Sequence, residues 1–94
     1  MPFWVYILEC SDGSYYVGHT DNIEARLAQH QTGALGGHTY FRRPVKLAFS
    51  EMLPTRDEAF AAERRIKQWT RAKKAALIAR DWGLVSRRAK KKWK

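Results

Sequence analysis

The chain begins with a run of β-branched, aromatic and aliphatic residues, Phe3 to Cys10 (FWVYILEC), and resumes it at Tyr15-Tyr16-Val17-Gly18 after the polar tetrad Ser11-Asp12-Gly13-Ser14. Two such runs around a glycine-containing turn predict a β-hairpin. The periodicity then changes, and Ile23, Leu27 and His30 recur at helical spacing. Asp21 is placed to cap that helix, with Glu24 three residues on as in a capping box, and Gly33 to end it. Residues 33–44 (GALGGHTYFRRP) have no periodicity and read as a glycine-rich, basic loop. From Val45 to Leu53 the pattern alternates, with Val45, Leu47 and Phe49 expected inward and Lys46, Ala48 and Ser50 outward, which predicts a third strand. Thr55-Arg56-Asp57-Glu58 forms a second capping box after Pro54, ahead of a helix with the stripe Ala59, Ala62, Ile66 and Trp69. Thr70 caps a further short helix through Ile78.

The predicted order is β-β-α-β-α-α, an α+β domain in which a small antiparallel sheet is flanked by helices. Residues 1–83 are assigned to this domain and 84–94 to a loosely ordered basic tail. At 94 residues the chain can hold a single core. No segment approaches the roughly 20 apolar residues needed to cross a bilayer, and Met-Pro-Phe-Trp at the N-terminus lacks the pattern of a secretory signal. The single cysteine, Cys10, cannot form an internal disulfide, which fits a cytoplasmic location; in an apolar strand it reads as a small buried hydrophobe.

Strand parity makes a sharper demand on the turn. With a two-residue loop, Asp12-Gly13, Tyr6 and Tyr16 would point to opposite faces of the sheet. With a three-residue loop, Ser11-Asp12-Gly13, Gly13 takes the left-handed conformation of a bulged turn. Tyr16 then lies opposite Leu8 and Tyr6 opposite Gly18, so both phenols share one face. Gly18 would leave an open space beside the Tyr6 phenol for a phosphate to approach.

Charge narrows the partner. The net charge is +9, of which residues 84–94 contribute +6 through Arg87, Arg88, Lys90, Lys91, Lys92 and Lys94. Positions 64–80 carry Arg64, Arg65, Lys67, Arg71, Lys73, Lys74 and Arg80 without a carboxylate. Such single-sign runs suit a polyanion, nucleic acid above all, or else form solvated faces. Arg42 and Arg43 add basic charge to the loop ahead of the third strand.

Candidate chemistry is sparse. Arg26 and His30 lie four apart on one helix face, and arginine offers a planar fork of donors for a phosphate. Glu63 stands at the border of the buried stripe of its helix, about 40° from Ala59 and about 60° from Ile66. An isolated acid amid Arg64, Arg65 and Lys67 is either an ion-pair partner or a single-carboxylate anchor for Mg²⁺, which keeps several of its waters. His19, His30 and His38 with Cys10 match no paired zinc-ligand spacing, and no phosphate-cradling or nucleophile-elbow motif is present.

Trp4-Val5-Tyr6, Tyr16-Val17-Gly18, Arg26 with His30, and Glu63 resemble, in order and spacing, the GIY-YIG nuclease domain over residues 3–80. The V-Y-I-L strand, the D-G-S turn, the Y-x-G strand and Arg42-Arg43-Pro44 resemble its short bacterial single-domain branch. Trp4 and Val5 stand where the family name has glycine and isoleucine. The resemblance implies a three-stranded antiparallel sheet with a site for one divalent ion, Mg²⁺ or Mn²⁺, on Glu63. It implies Tyr6 acting as, or positioning, the base for an attacking water, Tyr16 bonding substrate or water, Arg26 binding the scissile phosphate, and His30 in support. The expected activity is endonucleolytic cleavage of DNA without tight sequence specificity. The alternative is a DNA- or RNA-binding module with little cleavage. No small-molecule cofactor and no membrane partner are expected, and no oligomeric state is implied.

Overall fold

The computed structural model describes residues 2–80, so the expected basic tail, with Arg87, Arg88, Lys90, Lys91 and Lys92, lies outside the described residues. Three antiparallel strands, β1 (Phe3–Glu9), β2 (Tyr15–Thr20) and β3 (Lys46–Leu53), form one sheet in the order β2-β1-β3. Helix α1 (Ile23–Thr32) follows the hairpin, a short 3-10 helix (Gly37–Arg42) precedes β3, and α2 (Arg56–Lys67) and α3 (Arg71–Ile78) follow it. The α+β order expected from the sequence is the order observed. Among the described residues no helix is long and apolar enough to cross a membrane.

The sheet separates two apolar clusters. On one face Val5, Ile7, Val17 and Phe49 pack with Ala62 and Ile66 of α2 and Ala76 and Leu77 of α3. On the other, Tyr6, Leu8, Cys10 and Val45 pack with Tyr16 and with Ile23 and Leu27 of α1. Burial on both faces explains why β1 has no polar alternation: Val5 to Leu8 are all buried.

The hairpin has the odd-length turn. Cys10 N–H donates to Ser14 O and Gly13 N–H to Cys10 O, both at 2.9 Å, leaving Ser11-Asp12-Gly13 as the loop. Gly13 has φ +84°, the left-handed region that costs glycine least. Asp12 Oδ1 braces the turn by accepting from Ser14 N–H at 3.0 Å, a local bond that competes with extension of the strands. The resulting register pairs Tyr6 with Gly18 and Leu8 with Tyr16, so both tyrosines lie on the α1 face.

Four local expectations are corrected. The cap of α1 is Asn22, whose Oδ1 accepts from Ala25 N–H at 3.0 Å. Asp21 stands one position too early because Thr20 Oγ1 accepts from Asn22 N–H at 3.1 Å and so sets the entry to the helix. The basic loop contains the 3-10 helix, which its three glycines do not advertise. Trp69 lies beyond the end of α2 and is only partly buried. The fourth concerns β3, where a bulge breaks the alternation: Ile7 pairs with Phe49 but Leu8 pairs with Leu47. Ala48 is the extra residue, and the side chains before it change faces. Phe49 therefore joins the α2 face, while Leu47 sits with Leu8 on the tyrosine face, beside Ile23, Arg26 and Leu27.

The space opposite Tyr6 is also used differently from the expectation. A Cβ on Gly18 would stand 2.6 Å from Tyr6 Oη, 2.8 Å from its Cζ and 3.2 Å from Tyr16 Cε2. The vacancy is filled by the Tyr6 ring itself, not left for a ligand. Because that ring is buried it cannot yield cheaply. Gly18→Ala is expected to destabilise the protein by about 1–3 kcal/mol through overpacking, lowering Tm by about 4–8 °C for each kcal/mol. A thermal melt unchanged by the substitution would show that the Tyr6 ring has room to retreat.

Candidate active site

A buried phenol cannot be left without a hydrogen-bond partner, since desolvation would cost about 1–3 kcal/mol. The Tyr6 hydroxyl lies 3.1 Å from His30 Nε2, and His30 Nδ1 lies 2.9 Å from Thr39 Oγ1. The resulting chain of three polar side chains links β1, α1 and the 3-10 helix, and all three residues are buried. Either neutral tautomer of the imidazole satisfies it. Tyr6 O–H can donate to Nε2 while Nδ1–H donates to Thr39, or both bonds can reverse.

Charge distribution around the chain sets its proton affinities. Burial, then the Tyr16 phenol, push the Tyr6 pKa up to about 12, while the Arg26 guanidinium pulls it down. Burial outweighs Arg26, so the neutral phenol is favoured. His30 is shifted below the ordinary imidazole value, first by burial and then by Arg26, so the neutral ring is favoured. Tyr16 is half-buried, with its ring centroid 6.4 Å from Tyr6, 5.0 Å from His30 and 6.0 Å from His38. Thus Tyr6, Tyr16, Arg26 and His30 converge on one sheet face.

Glu63 does not arrive from that face. It projects from α2, which packs against the opposite side of the sheet, at the edge strand β2. Its Oε1 accepts from His19 Nδ1 at 2.6 Å and its Oε2 from Lys67 Nζ at 2.7 Å. It still reaches the tyrosines electrostatically: after burial and Tyr16 its charge adds to the rise of the Tyr6 pKa, and Glu63 first, then Tyr16, raise that of Lys67. Sequence reasoning missed His19 as a partner. Its alternation with Gly18 in β2, which turns it toward α2, is the signal that could have found it. His38 was also missed; its Nε2 lies 3.2 Å from Ser14 Oγ, over the hairpin turn.

The described residues hold no group of three or more His, Cys, Asp or Glu able to cage a metal. A hydrated hard cation on one carboxylate does fit the donor chemistry of Glu63. Lys67 would have to release Oε2, and its side chain, about half exposed, has room to do so.

Several cations expected to meet a polyanion have other engagements. Arg42 pairs with Asp12 Oδ2 at 2.9 Å and donates to His38 O at 2.7 Å. Arg43 donates to Tyr40 O at 2.8 Å and lies 4.8 Å over the Tyr40 ring. Arg71 donates to Gly13 O and lies 4.4 Å over Tyr15. Arg64 stacks 5.6 Å over the exposed Phe60. Lys74 is half-buried. Lys73 is a correction: it is buried, its ammonium 3.7 Å over the Trp69 ring, and it presents no surface to a phosphate. The α3 positions point inward because Ala76 and Leu77 anchor that short helix to the core.

Fold and site together define a small α+β domain with paired tyrosines, an arginine and a lone helical acid. The chain belongs to the GIY-YIG family: the GIY-YIG catalytic domain matches residues 2–76. It is similar to a UPF0213 protein of Halobacterium salinarum, 45% identical over 74 residues that make up 79% of this chain and 96% of that protein. A UPF0213 protein of Staphylococcus aureus is 45% identical over 75 residues, 80% of this chain and 92% of the relative. The solution NMR structure of a UPF0213 protein from Bacillus halodurans is 37% identical and superposes with a TM-score of 0.55 over 84% of each chain. These relatives are of single-domain size, as expected for the short branch. Nucleases of the GIY-YIG family are generally dependent on a divalent metal.

The depressed pKa of His30 has a measurable consequence. In the unfolded chain a histidine titrates near about 6.5, so on acidification the unfolded state takes up the proton first. Stability contributed by neutral His30 is complete above that pH and is lost as pH falls toward the folded-state value. Urea unfolding of wild type and His30→Gln at pH 7.5 and 5.5 is expected to show a stability gap that narrows at the lower pH. A gap of constant size would mean that the folded ring protonates as readily as the unfolded one.

Proposed function

We propose that the protein is a metal-dependent endonuclease that hydrolyses DNA phosphodiester bonds at the β2 edge of the sheet, where Tyr6, Tyr16 and Arg26 on one side meet Glu63 on the other. The observation that carries this reading is the hydrogen bond between the buried Tyr6 hydroxyl and His30, beside Arg26. Burial, then Tyr16, push the Tyr6 pKa up to about 12, so the neutral phenol is the form held at neutral pH. Tyr6 is therefore not a preformed base. Water instead loses a proton to Tyr6 Oη while Tyr6 passes its own proton to His30 Nε2, and the oxygen of that water attacks phosphorus. The reaction uses the tautomer in which Nδ1–H is held by Thr39, and Nε2 is its open acceptor.

Arg26 donates to the non-bridging phosphate oxygens, where negative charge grows as the P–O bond to the leaving alkoxide breaks. Tyr16 donates a hydrogen bond to the same phosphate or to the water. Glu63 would hold Mg²⁺ or Mn²⁺, with Lys67 released from Oε2 and His19 orienting the carboxylate. The ion, when bound, supplies Lewis-acid stabilisation of the phosphate and the leaving oxygen. Lys67, displaced from Oε2, stays nearby as a further cation for the phosphate backbone, with Arg64, Lys74 and the Arg87, Arg88, Lys90, Lys91 and Lys92 tail. Such contacts position the protein without reading sequence.

A second reading is favoured by one observation: both oxygens of Glu63 are already occupied by His19 and Lys67. On that reading the domain binds nucleic acid, DNA or RNA, and cleaves little. A supercoiled-plasmid nicking assay with Mg²⁺ or Mn²⁺ separates the two. Tyr6→Phe and Glu63→Gln are each expected to slow nicking by about 100-fold or more, the scale of losing a charge-stabilising or proton-transfer group. Nicking that survives both substitutions removes the site assignment. Binding without nicking by the wild type, steeply weakened by salt, selects the second reading.

A further inference from the structure

The 3-10 helix carries an aromatic side chain that the catalytic reading leaves without a role. Phe41 is 86% exposed, so the stabilisation available from burying such a ring is forgone. Single exposed apolar residues are common and need no explanation. The segment that carries Phe41 is what sets it apart. Two residues earlier, Thr39 is buried and bonded to His30, whose other nitrogen meets the Tyr6 hydroxyl. One residue later, Arg42 O accepts from Ser11 N–H at 2.9 Å, and the Arg42 side chain pairs with Asp12 at the same distance. Phe41 is thus held outward between two anchors, one of which is the catalytic hydrogen-bond chain itself.

Its surroundings select the occupant. The Phe41 ring meets Tyr40 edge-on, with centroids 4.7 Å apart and planes at 84°, and Arg43 covers the Tyr40 ring at 4.8 Å. Tyr40 and Leu35 are themselves exposed. Residues 33–46 carry no carboxylate, and although Arg42 pairs with Asp12 and Lys46 with Glu9 at 3.7 Å, the Arg43 guanidinium stays beside the rings over Tyr40. An apolar partner protein would gain little from these cations. A nucleobase presents a flat π-face and brings its own phosphates, so it satisfies ring and charge together.

We propose that Phe41, backed by Tyr40, is a stacking platform for an unpaired nucleobase of the DNA, fixed relative to the Tyr6–His30 pair through Thr39. It rests on the nuclease reading and deepens it by naming the substrate class: DNA with an unpaired or extruded base next to the bond to be cut. In a fully paired duplex the bases are stacked on one another and their faces are closed to Phe41.

The test is binding of the full chain, in EDTA so that no cleavage occurs, to a single-stranded oligonucleotide containing 2-aminopurine and to a blunt duplex of the same sequence. Phe41→Ala is expected to weaken single-strand binding by about 10-fold, the scale of one lost base–aromatic stack, and to change duplex binding by less than about twofold, a difference set by the same stacking term. Phe41→Trp is expected to keep the affinity and the 2-aminopurine fluorescence change. The salt dependence should be the same for all three proteins, because no phosphate contact is removed. Melting curves confirm folding, since substitution of an exposed side chain leaves stability nearly unchanged.

Equal losses on both probes, or none on the single strand, overturn the proposal. So does loss of self-association with DNA affinity intact, which would assign Phe41 to a protein contact. The two readings fail separately: loss of Phe41-dependent stacking removes the platform, whereas binding with stacking but no plasmid nicking removes the nuclease. Absence of DNA binding by the wild type at low salt removes both.

Discussion

The Tyr6 hydroxyl, buried under α1 and bonded to His30, is the constraint on which the arrangement of this domain turns. A phenol in that position must find an acceptor or donor, and His30 in the last turn of α1 supplies one. His30 in turn must satisfy its second nitrogen, which draws in Thr39 and with it the 3-10 helix. Each partner lies on a different element, so one polar requirement fixes the relative placement of strand, helix and loop. An aliphatic residue at position 6 would bury as well but would leave α1 and the loop without this shared reference. Tyr6 is therefore a structural and a chemical residue at once, and a loss of activity on its substitution needs a folding control before it is read as chemistry.

That placement depends in turn on parity. The odd turn Ser11-Asp12-Gly13 sends Tyr6 and Tyr16 to one face, and Gly18 gives up its side chain so that the Tyr6 ring can lie across it. The two devices are independent in sequence but serve the same ring. A β-bulge at Ala48 adds a third, because it turns Leu47 onto the tyrosine face beside Arg26 and Leu27. The wall of the site next to Arg26 is thus partly made by an irregularity in the far strand.

Elements whose cause is local were legible in the sequence. The hairpin, Gly13, the Thr55 and Thr70 caps and the Gly33 stop all follow from residues within a few positions of where they act. The bulge was not, since alternation in β3 looks regular until β1 imposes its register. The pairing of His19 with Glu63 spans 44 positions and no local pattern encodes it. For the same reason the side from which Glu63 arrives is not legible: its border position on α2 is a local fact, whereas the side of the sheet covered by α2 is a tertiary one. Lys73 failed differently. Its charge suggested a solvent-facing role, but a lysine stem can lie along apolar surface, and here the ammonium rests over Trp69.

The electrostatics of Glu63 connect the two sides of the sheet. A carboxylate with only about a tenth of its side chain exposed, held by His19 on one oxygen and Lys67 on the other, is well compensated. Removing one partner leaves negative charge in a partly desolvated site, and that residual charge is what a divalent ion or the positive groups around a phosphate would answer. Lys67 is the partner that can leave: it is the more exposed and reaches Oε2 from its own helix, one turn on. His19 is fixed by its strand and by the Phe60 ring 5.4 Å away. The clamp is therefore asymmetric. One arm keeps the carboxylate aimed at the edge of β2, and the other can be exchanged for a ligand, a change of charge that Tyr6 would feel across that edge.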